Sequence, residues 1–373
     1  MKFFFILIFC LASNAFAFEA PHGIRSPRGL LMGDAFTAVG TDEYTLFYNP
    51  ASLARHSQDF TLYPFNPQAT GTNVIGDLKK YEDIPDTPNG MADLLMNQPL
   101  HAGVNIAPGF KLFNFGFNFI ASESVDLLLR NKIHPVLDVD YRSDRGFIFG
   151  GAIPLGTSRL GGKKSVGGQM TSIGFGVKYL KRRGLQDTLA LTGTDVLDSI
   201  GTDADAEEVI KKLGVTEADA WSCDAWLEHV IRQGPHQVSF ALAALDITNT
   251  EFEVEKNDDD KKVAANNDQV NLGAAWLMRT ALFKGSFSAD VRNLTQEQDF
   301  LERLRFGVEV GTPIISVLAG WNAGYLSYGA ALDFGMLKVV AGFYGVEAGS
   351  SYNQTESERF VVYLSLFDFS FDA

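Results

Sequence analysis

Phe113-Asn114-Phe115-Gly116-Phe117-Asn118-Phe119 places four phenylalanines at alternate positions, with two asparagines and a glycine between them. A strand points successive side chains to opposite faces, so this stretch is greasy on one side and small or polar on the other. That is the composition of a strand separating lipid from a wet lumen. The same two-residue period recurs almost to the C-terminus.

Leu137, Val139 and Tyr141 alternate with Asp138, Asp140 and Arg142. Phe147 and Phe149 alternate with Ile148 and Gly150, and Ile173, Phe175, Val177 and Tyr179 with Gly174, Gly176 and Lys178. Later come Val270, Leu272, Ala274 and Trp276, then Phe287, Ala289 and Val291, then Leu304, Phe306, Val308 and Val310. Three further segments fill 314–348, and Phe360 to Phe371 closes the chain. About 12 to 14 strands are expected, an even number being favoured. Lipid leaves unpaired backbone groups unsatisfied, so the sheet must close. A soluble β-sandwich or β-solenoid also alternates, but its strands would be shorter or its repeat clearer. The expected fold is thus an all-β transmembrane antiparallel barrel of about 12 to 14 strands.

Composition agrees. The 373 residues include 30 Phe and 36 Gly, and mean hydropathy is +0.01. Such barrels escape hydropathy scans because only alternate residues face lipid. The formal charge of −14 disfavours nucleic acid as a partner. Met1-Lys2, an apolar run from Phe3 to Ala12, and Ala15-Phe16-Ala17 form a signal peptide pattern cleaved near Ala17. Cys223 alone would remain, excluding an intrachain disulfide. The expected location is the outer membrane of a Gram-negative bacterium.

Five segments are expected: a signal at 1–17, a plug or hatch at 18–57, barrel at 58–183, a helical insertion at 184–234, and barrel at 235–373. Short helices are expected within about 72–98, where charged residues precede Met91, Leu94, Leu95 and Met96. In the insertion, Ala204–Leu213 and Glu217–Arg232 read as helices with acidic starts. Trp221 and Trp226 would give it a surface for a partner protein.

Chemical motifs are weak. Gly162-Lys163 lacks the Gly at 157 and the Ser or Thr at 164 of a phosphate loop. Asp203, Asp205 and Glu207 imitate a calcium loop, but Glu208 stands where it needs Gly. The six His lack zinc spacing, and Cys223 with His229 on a helix would face apart. No enzyme, cofactor or metal is expected. Arg303, Arg305 and Glu309 oppose the apolar face of 304–310 and are candidate lumen residues, lining a polar channel or pairing with each other and the plug.

The stretch from Arg25 to Ala54 contains Tyr48-Asn49-Pro50-Ala51-Ser52-Leu53-Ala54. It resembles the N-terminal segment of the FadL-like (FadL/TodX-type) and PorV-like outer-membrane barrels. Ala289-Asp290-Val291-Arg292-Asn293-Leu294 and Leu304-Arg305-Phe306-Gly307-Val308-Glu309 are similar too. The resemblance implies a 14-stranded barrel with the N-terminal segment inside, and a plug motif at Tyr48, Asn49, Pro50, Ala51 and Leu53. It implies a channel or binding protein for hydrophobic small molecules or lipids. The alternative is a scaffold barrel, a homo-oligomer or one holding lipid or a partner protein. The aromatic C-terminal strand, with Tyr363, Phe367, Phe369 and Phe371 on one parity, resembles the signal read by the outer-membrane barrel assembly machinery. Locally, Asn49 can bond its own turn and Pro50 fixes φ and removes a donor, as a buried plug requires.

Overall fold

The computed structural model describes residues 23–56, 59–73, 96–155, 167–190, 215–254 and 263–372, apart from single or short positions at 132–133, 135, 156–166, 249, 251, 255–262, 264, 297 and 350. The expected helices at 72–98 and 204–213 lie outside the described residues, except at the edges of the former.

Among the described residues, eighteen strand segments join in one closed antiparallel sheet. β1 (Asp59–Tyr63) and β2 (Pro67–Thr72) run in line, as do β3 (Pro99–Ile106) and β4 (Gly109–Leu112). β5 (Phe115–Arg130), β6 (Val136–Leu155), β7 (Gly167–Ala190) and β8 (Thr216–Gln233) follow as the long wall. β9 (His236–Leu245) continues into β10 (Glu253–Val254). Then come β11 (Gln269–Arg279), β12 (Lys284–Val291), β13 (Leu304–Gly311), β14 (Ile315–Asn322), β15 (Tyr325–Asp333) and β16 (Leu337–Glu347). β17 (Glu356–Leu366) and β18 (Phe369–Asp372) pair with β2 and β1 and close the ring. The four in-line pairs reduce the segments to 14 staves.

Alternation places Phe115, Phe119, Phe149, Ile173, Leu227, Phe240, Leu272, Phe287, Phe306 and Val317 outward and exposed. Phe119, Phe147, Tyr179 and Trp221 stand in one row across β5 to β8, with Tyr179 and Trp221 ring centroids 5.0 Å apart. The next row up is Ala121, Arg145, Lys181 and Asp219. Aromatics give way to charges in one step, which marks the edge of the hydrocarbon belt. From Trp221 down to Ile231, outward positions of β8 stay free of formal charge over the length that crosses a bilayer at barrel tilt.

Tight connections at 113–114, 234–235, 280–283, 312–314 and 334–336 gather at the end that holds the C-terminus. The connections at 73–98, 191–215, 255–268 and 292–303 lie at the other.

Several expectations need correction. Residues 217–232 are not helical: they form β8, and β7 runs on to Ala190. Five residues apart on a strand is an odd step, so Trp221 faces out at 60% exposure and Trp226 faces in at 3%. They share no surface. Cys223 and His229 then share the outer face of β8, but six residues of strand, about 20 Å, separate them. Phe113 sits in the hairpin turn at φ 51°, so only Phe115, Phe117 and Phe119 belong to the strand. The parity of the C-terminal run is broken at Phe367, φ 62°: Tyr363 faces in at 1% exposure, whereas Phe369 is exposed.

Residues 23–56 fill the lumen. Helix α1 (Pro27–Leu31) starts at Ser26, whose Oγ accepts from Gly29 N, and Pro27 occupies a first-turn position where no donor is needed. Helix α2 (Thr45–Tyr48) and a 3-10 turn (Pro50–His56) follow. Leu30, Leu31, Met32, Phe36, Val39, Tyr44, Leu46 and Leu53 form one buried cluster with wall residues such as Ile120, Ile148, Leu318 and Tyr344. Inward glycines make room: Gly116 and Gly150 meet Leu46, Gly174 meets Ala51, and Gly307 meets Met32. Their small faces in the sequence receive a segment of the same chain.

Candidate functional site

A polar segment inside a barrel must satisfy its backbone without bulk water. Here the wall supplies many partners. Ser239 Oγ donates to Ala38 O (2.7 Å), Ser172 Oγ to Ala51 O (2.9 Å), and Trp226 Nε1 to Tyr48 O (2.8 Å). Thr37 N donates to Asp290 (2.9 Å).

Ion pairs then fasten the plug on several sides. Arg55 bonds both oxygens of Glu228 on β8, and Asn49 Nδ2 donates to the same carboxylate at 2.9 Å. Arg28 pairs with Glu309 on β13, which also faces Lys284. Asp34 receives Arg292, Arg25 and the Tyr48 hydroxyl. Glu43 receives Lys338 and the Tyr363 hydroxyl. Burial works to raise the Asp34 carboxyl, but Arg292 and Arg25 outweigh it and hold the group below the usual carboxylate range. Glu43 is likewise held low against burial by Lys338, while burial and the Glu43 charge push Asp42 up.

Of the residues singled out in the sequence, Tyr48, Asn49, Ala51 and Leu53 are buried in the plug, Pro50 opens its 3-10 turn, and Tyr48 and Asn49 make latch contacts. Glu309 faces the lumen and holds the plug. Arg303 does not belong with it: it ends the short helix α3 (Phe300–Arg303) and donates to Gln296 O. Arg305 donates to Glu302 O and Leu304 O beside the rim.

The wall is interrupted at one level across three adjacent staves. Between β1 and β2 stand Pro64, Phe65 and Asn66; between β3 and β4 stand Ala107 and Pro108; between β17 and β18 stand Phe367 and Asp368. Pro64, Pro67 and Pro108 lack the donors a ladder needs. Side chains close the break. Asn66 Nδ2 donates to Ala107 O (2.9 Å) and Asn66 Oδ1 accepts from Ala107 N (3.0 Å). Asn118 Nδ2 donates to Ala107 O (2.8 Å), and Tyr63 donates to Asn118 Oδ1 (3.4 Å). All of these residues are fully buried.

Two residues further along each strand from Asn66, Ala107 and Asn118 lie Gln68, Asn105 and Ile120. They line a lumen cavity of about 150 Å³ between plug and wall. Ile24, Leu30, Phe47, Ile148 and Leu180 supply its apolar surface. Much of its charged wall is paired within itself: Lys178 with Asp224 and Asp246, Arg142 with Asp140, His101 and Arg359 with Asp126. The break and the cavity were not singled out in the sequence. The signal was present as three prolines and Asn66 in two segments otherwise patterned as strands.

No protein-family profile matches the chain, and no curated protein matches it. Solved barrels do resemble it in architecture. The CymD monoaromatic hydrocarbon channel aligns over 94% of this chain and 98% of its own, at 10% identity and TM-score 0.47. The toluene transporter TodX of Pseudomonas putida aligns over 96% and 100%, at 9% identity and TM-score 0.35. A FadL homologue of Pseudomonas aeruginosa aligns over 95% and 99%, at 11% identity and TM-score 0.29.

Proposed function

We propose that this outer-membrane barrel passes hydrophobic small molecules between its lumen and the bilayer, with residues 23–56 as the gate. One observation carries the reading: the wall has an aligned three-stave break, sealed by the side chains of Asn66, Asn118 and Tyr63, and a partly apolar cavity lies directly inside it. Side chains can move aside without unzipping a ladder. A hydrophobic molecule leaving there enters lipid and avoids water. The monoaromatic cargo named for the similar channels fits the size of the cavity.

The feature that would favour the scaffold alternative is one apolar patch on the insert around Trp221 and Trp226. β8 puts them on opposite faces, so that surface does not form.

A staple tests the proposal. Asn66→Cys with Ala107→Cys places two thiols across the break. Uptake of ethylbenzene into proteoliposomes is expected to fall when the pair is oxidised and to recover on reduction. Unchanged uptake with the disulfide verified by mass would overturn the passage route.

A further inference from the structure

Two acceptors stand apart in the cavity. Gln68 and Asn105 are directly opposed across β2 and β3, both facing inward. Among the described residues, no donor reaches Gln68 Oε1 or Asn105 Oδ1, and both atoms are shielded from the surface. The Gln68 side chain belongs to a residue only 3% exposed. Buried carbonyls without donors are uncommon and costly, so a pair of them on one cavity wall calls for an explanation. A third such acceptor, Asn266 Oδ1, also lines the cavity.

The surroundings define what would satisfy them. Each arginine and lysine of the cavity is already paired with a carboxylate, so the site offers no free cation to an anionic head. Ile120 stands two residues from Asn118 on the neighbouring stave and continues the apolar surface next to Asn105. The combination is a partly apolar pocket with two convergent acceptors, beside the break in the wall.

Building on the passage reading above, we infer that the cargo carries a hydrogen-bond donor, and that Gln68 and Asn105 select a neutral hydroxyl-bearing hydrophobic molecule over the corresponding hydrocarbon. A hydroxyl placed between them donates to one carbonyl at a time while its apolar body rests on Ile120, Ile24 and Phe47. A plain hydrocarbon fills the same volume but leaves both carbonyls unsatisfied. Sites built around polar groups discriminate against analogues lacking the partner far better than apolar pockets discriminate by size.

Benzyl alcohol and ethylbenzene differ by a hydroxyl in place of a methyl group and test this directly. Their binding to the purified, folded barrel is measured by calorimetry for wild type and for Gln68→Leu with Asn105→Leu. The double variant is expected to bind benzyl alcohol about tenfold more weakly, the size of one lost hydrogen bond, and ethylbenzene at least as well as wild type. Equal losses for both ligands, or no loss for benzyl alcohol, would overturn the inference while leaving the passage reading intact. Binding of neither ligand by folded wild type would overturn the cavity reading and the inference with it. Heat-modifiable migration on a gel establishes folding for each protein.

Discussion

Gly33 of the plug and Gly320 of β14 meet backbone to backbone, with no space for a Cβ on either. A Cβ on Gly320 would overlap Gly33 N, and one on Gly33 would overlap the carbonyl oxygens of Phe306 and Trp321. Gly33 also has φ 63°, which L side chains rarely adopt. Gly320→Ala should therefore push the plug off this wall, destabilising the barrel by about 1–3 kcal/mol through overpacking. Thermal unfolding in detergent checks the loss. Single-channel recording in a planar bilayer should show leak steps absent from wild type, and a quiet variant of unchanged melting temperature would contradict this account of the contact.

The Arg55–Glu228 pair gives a second test. Both side chains are essentially excluded from solvent, and Asn49 completes the carboxylate's bonding. Removing one partner of a buried pair leaves the other charge uncompensated, at a cost of about 3–5 kcal/mol. Arg55→Met and Glu228→Leu should each destabilise strongly, and the double variant should be milder than either single one. A double-mutant cycle on denaturant midpoints reads the coupling directly. Additive losses would show that the two side chains do not act as a unit.

How far the sequence disclosed this arrangement depends on what each face meets. β5 to β7 were legible because their outer faces carry runs of apolar residues, such as Phe115–Phe119, Phe147–Phe149 and Ile173–Tyr179, opposite glycine, asparagine or charge over much of the inner face. β8 was not. Its inner face carries Trp226 and Val230 against the plug, while its outer face rises past Trp221 to Asp219 and Glu217 beyond the membrane. Each face mixes apolar and charged residues, and the period of two is lost in hydropathy although it persists in geometry. The plug motif was visible as a run of turn formers. Its latches to Glu228, Glu309, Asp290 and Lys338 were not, because they join residues far apart along the chain. Asn66 and the prolines at 64, 67 and 108 were not singled out, because what they interrupt is a pairing between strands that sequence alone does not place side by side.

The Asp34 latch sets an acid limit on the closed state. Its folded pKa lies below the unfolded value of about 3.9. The contribution is thus fully present above the unfolded pKa and is lost as pH falls through the folded one. Wild type should keep this contribution at pH 7 and lose it progressively below about pH 4. Asp34→Asn should be less stable at pH 7, and its stability should fall less between pH 5 and pH 3 than that of wild type. Parallel melting curves at these pH values would refute the latch.

Trp221 and Trp226 should behave as opposites. Trp226 is packed against Ala51 and Ala243 and donates to Tyr48 O, so Trp226→Ala removes core volume and strands a buried carbonyl. A loss of about 3–5 kcal/mol is expected, with the plug loosened. Trp221 stands in the outer aromatic row beside Phe147 and Tyr179. Trp221→Ala should leave the fold close to wild type, because the removed ring faces headgroups and its site fills with lipid. Brominated phospholipids distinguish the two without relying on stability. Compared with wild type, Trp221→Ala should lose much of the quenchable fluorescence, whereas a conservative Trp226→Phe should retain it. Equal quenching in both variants would place the two rings on the same side of β8 and contradict the strand.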